Sequence, residues 1–152
     1  MEEKNRHNRY RIRIVDRKCH CIEANGERAK GFMPSDVSDN LPKLYVVRQG
    51  KEIYYVGITH QDIRKRLRYG FSATGKHGYY GYKWKDIDEA ELLIWNFPGS
   101  TQEHVEAIEA ELVYFIREKT GKWPKYQMEI HFHGASETER RVAEAILGNC
   151  LD

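Results

Sequence analysis

The sequence predicts an α+β fold in which helices flank a small mixed or antiparallel sheet, and three observations support this prediction. Two runs rich in β-branched and aromatic residues, LYVVR and EIYYVGI, are separated by a short glycine-containing connection, which favours an antiparallel hairpin. An alternating apolar and basic segment precedes them, and capped amphipathic segments follow them. Strands and helices that do not alternate regularly along the chain are typical of α+β domains.

The length and composition narrow the class of protein. The chain has 152 residues, which is the length of one domain, and its apolar runs fall short of the ~20 residues that cross a bilayer. The N-terminus is basic but lacks the apolar core of a secretory signal, and three cysteines are too few for a disulfide framework. We therefore expect an intracellular, cytoplasmic protein that does not enter the membrane.

The first forty residues are predicted to form a β-rich extension. In RYRIRIV apolar and basic side chains alternate, which indicates a half-buried strand with a basic outer face. The apolar members are Tyr10, Ile12 and Ile14, and the basic ones are Arg9, Arg11 and Arg13. Asn25-Gly26 is a dipeptide that suits a tight hairpin turn.

The middle of the chain predicts a short basic helix and then a loop. Asp62 is a candidate N-cap for the segment IRKRLRYG, in which Arg64, Lys65 and Arg68 project outward. Residues 70–85 contain four glycines among aromatic and basic residues, so we expect a loop that approaches another backbone closely. The segment AELLIWN reads as a third core strand.

Two helices are predicted in the C-terminal third. Ser100 with Glu103 forms a capping-box pattern before a helix that ends near Gly121, and Ser136 with Glu139 forms another. Gly148 is the predicted end of the last helix. The segment MEIHFH between the two helices is expected to be extended.

The charge is concentrated although the net charge is only +2. Residues 1–18 hold seven lysines and arginines against three acids, residues 60–85 hold seven against one, and residues 86–118 are acidic. Two basic stretches, one of them rich in aromatic residues, are typical of a surface that binds the phosphate backbone of nucleic acid.

The segment KLYVVRQGKEIYYVGITHQDIRKRLRYG resembles the GIY-YIG nuclease family. That family has two tyrosine-centred tripeptides on adjacent strands and then a helix with an essential arginine. Lys43-Leu44-Tyr45 occupies the first tripeptide and Tyr55-Val56-Gly57 the second, and Arg66 occupies the place of the arginine. Further along, Glu111 and Gln127 match the places of the family's glutamate and amide residue.

The resemblance implies a metal-dependent DNA endonuclease of the restriction type, whose catalytic core spans residues 41–132. Tyr45 would be the general base or would orient the attacking water, Arg66 would stabilise the phosphate, and Glu111 would hold Mg²⁺ or Mn²⁺. Tyr55 and Gln127 complete the expected catalytic set. Residues 1–40 would contact DNA, and residues 133–152 would add a helix. The expected substrate-binding residues are Gly57, Arg64, Arg68, Lys76, His77, Tyr79 and Lys83.

The sequence leaves the residues at two positions of the site undecided. The family's His or Tyr four residues after the arginine is Gly70 here, and Tyr69, His60 and His77 are candidate substitutes. Glu109 lies two residues from Glu111, on another face of the same helix, so only one of the two can face the tyrosines.

Other functions are also compatible with the sequence. A non-catalytic nucleic-acid-binding module would retain the fold without the activity. For an active nuclease, cleavage of both strands from one active site would suggest a dimer or two sequential nicks. An RNA-binding protein would use Tyr79, Tyr80, Tyr82 and Trp84 as stacking platforms. Two pairs of zinc-binding residue types offer a metal site, namely Cys19 with Cys21 and His131 with His133.

Overall fold

The computed structural model describes residues 7–152 and confirms the α+β class. The strands are β1 (His7–Val15), β2 (Lys18–Ala24), β3 (Glu27–Arg28), β4 (Lys43–Gln49), β5 (Glu52–Thr59) and β6 (Glu89–Asn96). The helices are α1 (Ile63–Ser72), α2 (Gln102–Thr120) and α3 (Glu137–Cys150), with short 3₁₀ helices at Pro34–Val37 and Lys76–Gly78. No helix in this described part has the length and apolar character needed to span a bilayer.

The six strands form one antiparallel sheet in the order β3-β2-β1-β6-β4-β5. The hairpin of β4 and β5 is present as predicted, and Asn25-Gly26 makes the tight turn between β2 and β3. AELLIWN is a strand, β6, which lies between β1 and β4. The sequence allowed either a mixed or an antiparallel sheet, and the structure shows an antiparallel one.

The N-terminal strand belongs to the centre of the sheet. β1 pairs with β2 on one side and with β6 on the other, and Tyr10, Ile12 and Ile14 are buried as the alternation predicts. Strand β1 of the N-terminal extension is therefore part of the domain core. Residues 1–6 of the basic N-terminus lie outside the described range.

The outer face of β1 is not a free basic surface. Arg11 contacts the carboxylates of Glu23 and Glu89 at 3.2 Å each, and Arg13 contacts Glu89 at 3.1 Å. Neighbouring strands β2 and β6 supply these acids, so the arginines that the sequence assigns to a DNA-binding face are already paired.

Each face of the sheet packs against a different layer. One face carries α1 and the loop before β6, with Tyr45, Leu67, Phe71, Tyr82 and Trp84 in its core. The other face carries α2 and α3, whose apolar side chains pack on alternate residues of β4 and β6. Since β4 contributes to both cores, its side chains are buried on both faces, as expected for an inner strand.

The helix boundaries follow local capping. Asp62 accepts a hydrogen bond from the backbone N–H of Arg64, as predicted, and Ser136 with Glu139 forms the predicted capping box. The prediction of a capping box at Ser100 is wrong, because Thr101 is the N-cap of α2. Its side chain accepts a hydrogen bond from the backbone N–H of His104. The predicted stop at Gly148 is also wrong, since α3 continues to Cys150, which is buried against the second core.

The segment MEIHFH forms no strand, and the residues just before it cover the edge of the sheet instead. Lys125 N–H donates to the carbonyl of Ile53 at 3.0 Å, and Tyr126 N–H donates to that of Tyr54 at 2.8 Å. β5 is an edge strand, so this stretch pairs backbone groups that an exposed edge would leave open.

Candidate active site

Strand β4 places Tyr45 in the core, where its side chain meets Tyr82. Tyr45 is 0% exposed, and its hydroxyl lies 2.7 Å from the hydroxyl of Tyr82. Tyr82 reaches this point because its backbone N–H donates to the carbonyl of Gly70 at 3.0 Å, which holds the loop against α1. The close approach predicted for this glycine-rich loop is confirmed.

Gly70 is the position at which the Tyr82 ring packs on α1. A Cβ atom on residue 70 would lie 2.1 Å from the Tyr82 ring, which is far inside van der Waals contact. A side chain at position 70 and the ring of Tyr82 therefore exclude each other. Of the candidate substitutes for position 70, Tyr69 is exposed and stacks on Tyr79, and His60 contacts Gln102. His77 is exposed on the loop.

Gly57 gives space to two tyrosine rings. It pairs with Tyr45 across β4 and β5, and a Cβ there would lie 2.7 Å from the Tyr45 hydroxyl and 2.8 Å from the Tyr55 ring. The rings of Tyr45 and Tyr55 lie 6.0 Å apart. Gly57, the glycine of the second tripeptide, is thus explained by packing, because any side chain there would collide with the rings of Tyr45 and Tyr55.

Arg66 projects from α1 onto the tyrosines. Its guanidinium carbon lies 4.7 Å from the centroid of the Tyr82 ring, and it donates to the Tyr79 hydroxyl at 3.0 Å. Among residues 7–152 no carboxylate lies within 4.0 Å of this half-buried cation. Arg66 also lines a surface depression of about 430 Å³, whose other lining residues are Thr59, Gln61, Lys65, Tyr69 and Tyr79.

The hydroxyl groups of this site are neutral near neutral pH. Burial raises the pKa of Tyr45 well above its ordinary range, with the neighbouring Tyr82 adding to the rise. Burial likewise raises the pKa of Tyr82. The pKa of Tyr55 is raised by burial, then by Tyr45, and then by the charge of Glu109. Arg66 opposes each shift without reversing it, so these phenols act as hydrogen-bonding groups and not as phenolates.

Of the two candidate glutamates on α2, Glu109 is the one whose charge raises the pKa of a tyrosine of the site, although α2 packs on the face of the sheet opposite Tyr45. Glu109 is 7% exposed, and its charge acts on Tyr55. Burial raises the pKa of its carboxyl, and His131, whose Nδ1 lies 3.5 Å away, offsets part of this rise. Glu111 instead contacts Nε of Arg140 on α3 at 3.3 Å, so its ion pair lies toward α3.

Gln127 supports the edge of the sheet. Its side-chain carbonyl accepts from the N–H of Val56 at 3.0 Å, and its amide nitrogen donates to the carbonyl of Val56 at 3.0 Å. The amide therefore imitates the backbone of a neighbouring strand. The side chain that the sequence places in the catalytic set is engaged with the backbone next to Tyr55 and Gly57.

The predicted substrate-binding residues have different environments. Arg64 is paired with Asp62 at 2.7 Å, whereas Arg68 is exposed. Lys76, His77 and Lys83 are exposed on the loop between α1 and β6. The aromatic residues proposed for RNA stacking are divided, because Tyr82 and Trp84 are buried in the core. Of that set, Tyr80 is exposed and Tyr79 is half-buried.

The cysteines and histidines considered for zinc do not meet. Cys19 and Cys21 pack against the core on the α1 side, whereas His131 and His133 line a cavity beside α2. Within the described range, no group of three or more His, Cys, Asp or Glu side chains is placed to hold a metal ion. The four-residue zinc site that the sequence offers as an alternative is therefore not formed.

The sequence reasoning missed the role of Tyr82 and left Glu109 unresolved. The signal for Tyr82 was the glycine at position 70, which leaves room on α1 for a ring from elsewhere, but nothing in the sequence says which ring fills it. For Glu109 the signal was weak, because both glutamates border the apolar stripe of α2.

Comparisons with known proteins find no family model that matches the chain, and no curated protein or solved structure that is significantly similar to it.

Proposed function

We propose that this protein is a metal-dependent DNA endonuclease that hydrolyses phosphodiester bonds. The observation that carries the proposal is Arg66, a half-buried cation without a carboxylate partner in the described part of the chain, which opens onto a surface depression. A partly desolvated charge is costly unless an opposite charge joins it. A guanidinium offers a rigid fork of donors that matches a phosphate, so the bound phosphodiester would supply the missing charge.

The tyrosines supply hydroxyl groups beside this phosphate site. Hydrolysis needs a water positioned for attack on phosphorus and stabilisation of the charge that develops on the phosphate oxygens. Because its pKa is raised, Tyr45 would orient the water through hydrogen bonds rather than remove its proton as a phenolate. Tyr55 is half-buried and its hydroxyl has no hydrogen-bonding partner among residues 7–152, so it is open to water or substrate.

Glu109 is the carboxylate that fits a divalent cation. It is nearly buried, and its one partner in the described structure is an imidazole at 3.5 Å, so its oxygens remain open to a metal ion. Magnesium sites that act on phosphates need one or two protein carboxylates, the remaining ligands being water and substrate oxygens. When bound, Mg²⁺ or Mn²⁺ would stabilise the negative charge of the leaving 3′ oxygen.

The choice of DNA as substrate rests on the resemblance of residues 43–130 to the GIY-YIG nucleases. A compact domain with extra segments around the catalytic core favours a restriction-type enzyme acting in the cytoplasm. Cleavage of both strands would then require a dimer or two successive nicks.

One observation favours a second function, a nucleic-acid-binding module without activity. The hydroxyl of Tyr45 is enclosed by protein and paired with that of Tyr82, and no solvent reaches the side chain. If the pair stays closed when nucleic acid binds, Arg66 would bind phosphate but no water would be activated at Tyr45.

Incubation with DNA distinguishes the two functions. Supercoiled and linear DNA would be incubated with Mg²⁺, with Mn²⁺ or with a chelator, and the ends of any products would be mapped. A nuclease gives products that depend on the metal, and discrete fragments would indicate sequence specificity. Binding without cleavage under all these conditions would support the inactive module.

A further inference from the structure

A second cleft lies on the other side of α1 from the tyrosine site. It has a volume of about 670 Å³ and is enclosed by the β1–β2 turn, strand β2, the segment around residues 30–32, and α1. Five of its lining residues are cations, and none is acidic. The cations are Arg17, Lys18, Lys30, Arg64 and Arg68.

Most of these cations are unpaired. Arg64 is bound to Asp62, but the side chains of the other four make no ion pair or hydrogen bond within the described range. The contrast with Arg11 and Arg13 is clear, because those arginines belong to the same N-terminal hairpin and are paired with glutamates. Like charges gathered without counter-charges repel one another, so an anionic ligand would relieve the repulsion.

The thiols in the cleft do not add negative charge. Burial raises the pKa of Cys19 to about 12 and also raises the pKa of Cys21. Both groups are therefore neutral thiols. Phe32 and Leu67 contribute apolar surface between the cations, which suits the sugar part of a nucleic-acid backbone.

The turn that presents Arg17 is conformationally unfavourable. Asp16 and Arg17 both have positive φ, 51° and 62°, in a two-residue connection between β1 and β2. Glycine and asparagine adopt this region more readily, and the next turn in the chain uses Asn25-Gly26. An arginine is therefore held at the mouth of the cleft in a conformation that its side chain disfavours.

Helix α1 connects this cleft to the tyrosine site. Arg64 and Arg68 are four residues apart and share one face, whereas Arg66 lies about 200° from Arg64 around the helix. Lys65 and Tyr69 are exposed between the two faces. A helix with side chains is about 10–12 Å across, and each nucleotide of one strand advances ~3.4 Å along the axis of duplex DNA. A few nucleotides of backbone would therefore reach from Arg66 to the cleft.

We propose that this cleft holds the sugar–phosphate backbone of the DNA strand that extends beyond the phosphate at Arg66. The inference rests on the proposed function for the identity of the ligand. It adds a second contact site, formed by the N-terminal hairpin and α1, at which the cations release counterions when DNA binds.

Salt dependence of DNA binding tests the proposal without cleavage. Binding of a fluorescein-labelled 20-base-pair duplex would be measured by anisotropy, with chelator, over a range of salt concentrations. The variant is Lys18→Gln with Lys30→Gln, and its matched control is Lys119→Gln with Lys122→Gln. All four lysines are exposed and make no ion pair in the described structure, and both pairs of substitutions change the net charge equally.

The cleft variant should reduce the magnitude of the slope of log K against log salt by about 1.8, since each phosphate contact contributes ~0.9. The control should keep the parental slope. Equal slopes for the parent and the cleft variant would overturn the proposal that the cleft binds DNA. Metal-dependent cleavage would then still support the proposed function. A reduced slope without any cleavage would support the cleft and count against the nuclease. Absence of salt-dependent binding in the parent would overturn the cleft, whatever the result of the cleavage assay.

Discussion

The hydroxyl oxygens of Tyr45 and Tyr82 lie 2.7 Å apart inside the core and join strand β4 to the loop that precedes β6. Both side chains are almost fully enclosed, and Arg66 covers the ring of Tyr82. One hydrogen bond thus links the first motif tyrosine to the glycine-rich loop, on a ring that Arg66 also contacts. It has consequences for both stability and activity.

Removing one hydroxyl of this pair should destabilise the protein. Tyr45→Phe or Tyr82→Phe leaves the other hydroxyl buried without a partner, which costs about 1–3 kcal/mol. The double variant removes both groups and should lose less than the sum of the two single changes. Guanidinium unfolding of the four proteins measures this coupling, and strict additivity would show that the bond contributes nothing.

Tyr45→Phe should also lower cleavage by roughly 10²-fold, because the water loses one of the groups that orient it. DNA affinity in chelator should stay near the parental value, since the ring and Arg66 remain in place. A parental cleavage rate in folded Tyr45→Phe would limit Tyr45 to a packing role. Tyr55→Phe, which removes the open hydroxyl, would then be the next variant to test.

The two glutamates of α2 are predicted to respond differently to the same change. Glu109→Gln removes the carboxylate that is proposed to hold the metal ion and whose charge acts on Tyr55, so cleavage should collapse, whereas Glu111→Gln loses a partly exposed contact with Arg140 and should stay active. Both substitutions remove one negative charge, so each controls for the general electrostatic effect of the other. Loss of activity in Glu111→Gln alone would return the metal-binding role to Glu111.

Glu109→Gln should at the same time stabilise the fold. The pKa of Glu109 is raised by burial, so the folded state disfavours the ionised carboxylate. The contribution of Glu109 to the free energy of unfolding therefore falls as the pH rises from the pKa of this carboxyl in the unfolded chain through its higher pKa in the folded protein. Thermal unfolding should show a higher Tm for Glu109→Gln at neutral pH, and the difference should disappear in acid. An unchanged Tm at neutral pH would show that the carboxylate is not desolvated.

The bonds between Gln127 and Val56 predict a role in stability. Gln127→Ala leaves two backbone groups of the edge strand without their partner, and we expect a loss of about 1–3 kcal/mol in unfolding free energy. Gln127→Glu keeps the acceptor but removes the donor, and it should fall between the parent and the alanine variant. Denaturant unfolding measures both. Loss of cleavage in Gln127→Ala without loss of stability would instead support a direct role in the site.

Local patterns predicted much of the fold because each depends on neighbouring residues. The alternation in RYRIRIV predicted the buried face of β1, and Asp62 and Ser136 predicted two helix starts. The placement of β1 between β2 and β6 was not predictable in this way, because it depends on pairing with residues about eighty positions later. The same holds for Glu89, which pairs with Arg11 and Arg13.

The sequence predicted the order of the candidate site residues along the chain, but it did not predict the contacts between their side chains. Tyr45, Gly57 and Arg66 do meet on one face of the sheet, because β4, β5 and α1 are consecutive. Tyr82 joins them through a loop whose path is set by its contact with Gly70, and no periodicity encodes that path. The choice between Glu109 and Glu111 depends on the rotation of α2 against the sheet, which the position of α3 helps to set.

Arg66 is central to the proposed activity, and Arg66→Lys tests it most directly. Lysine keeps the charge but not the fork of donors, so it cannot bind a phosphate and the Tyr79 hydroxyl in the same way. The matched control is Arg141→Lys, an exposed arginine on α3. The measurement is the initial rate of cleavage of a labelled DNA duplex in Mg²⁺. We expect metal-dependent cleavage by the parent and by Arg141→Lys and a loss of about 10²-fold or more in Arg66→Lys. A parental rate in Arg66→Lys, or a parent that does not cleave with any divalent metal ion, would contradict the account.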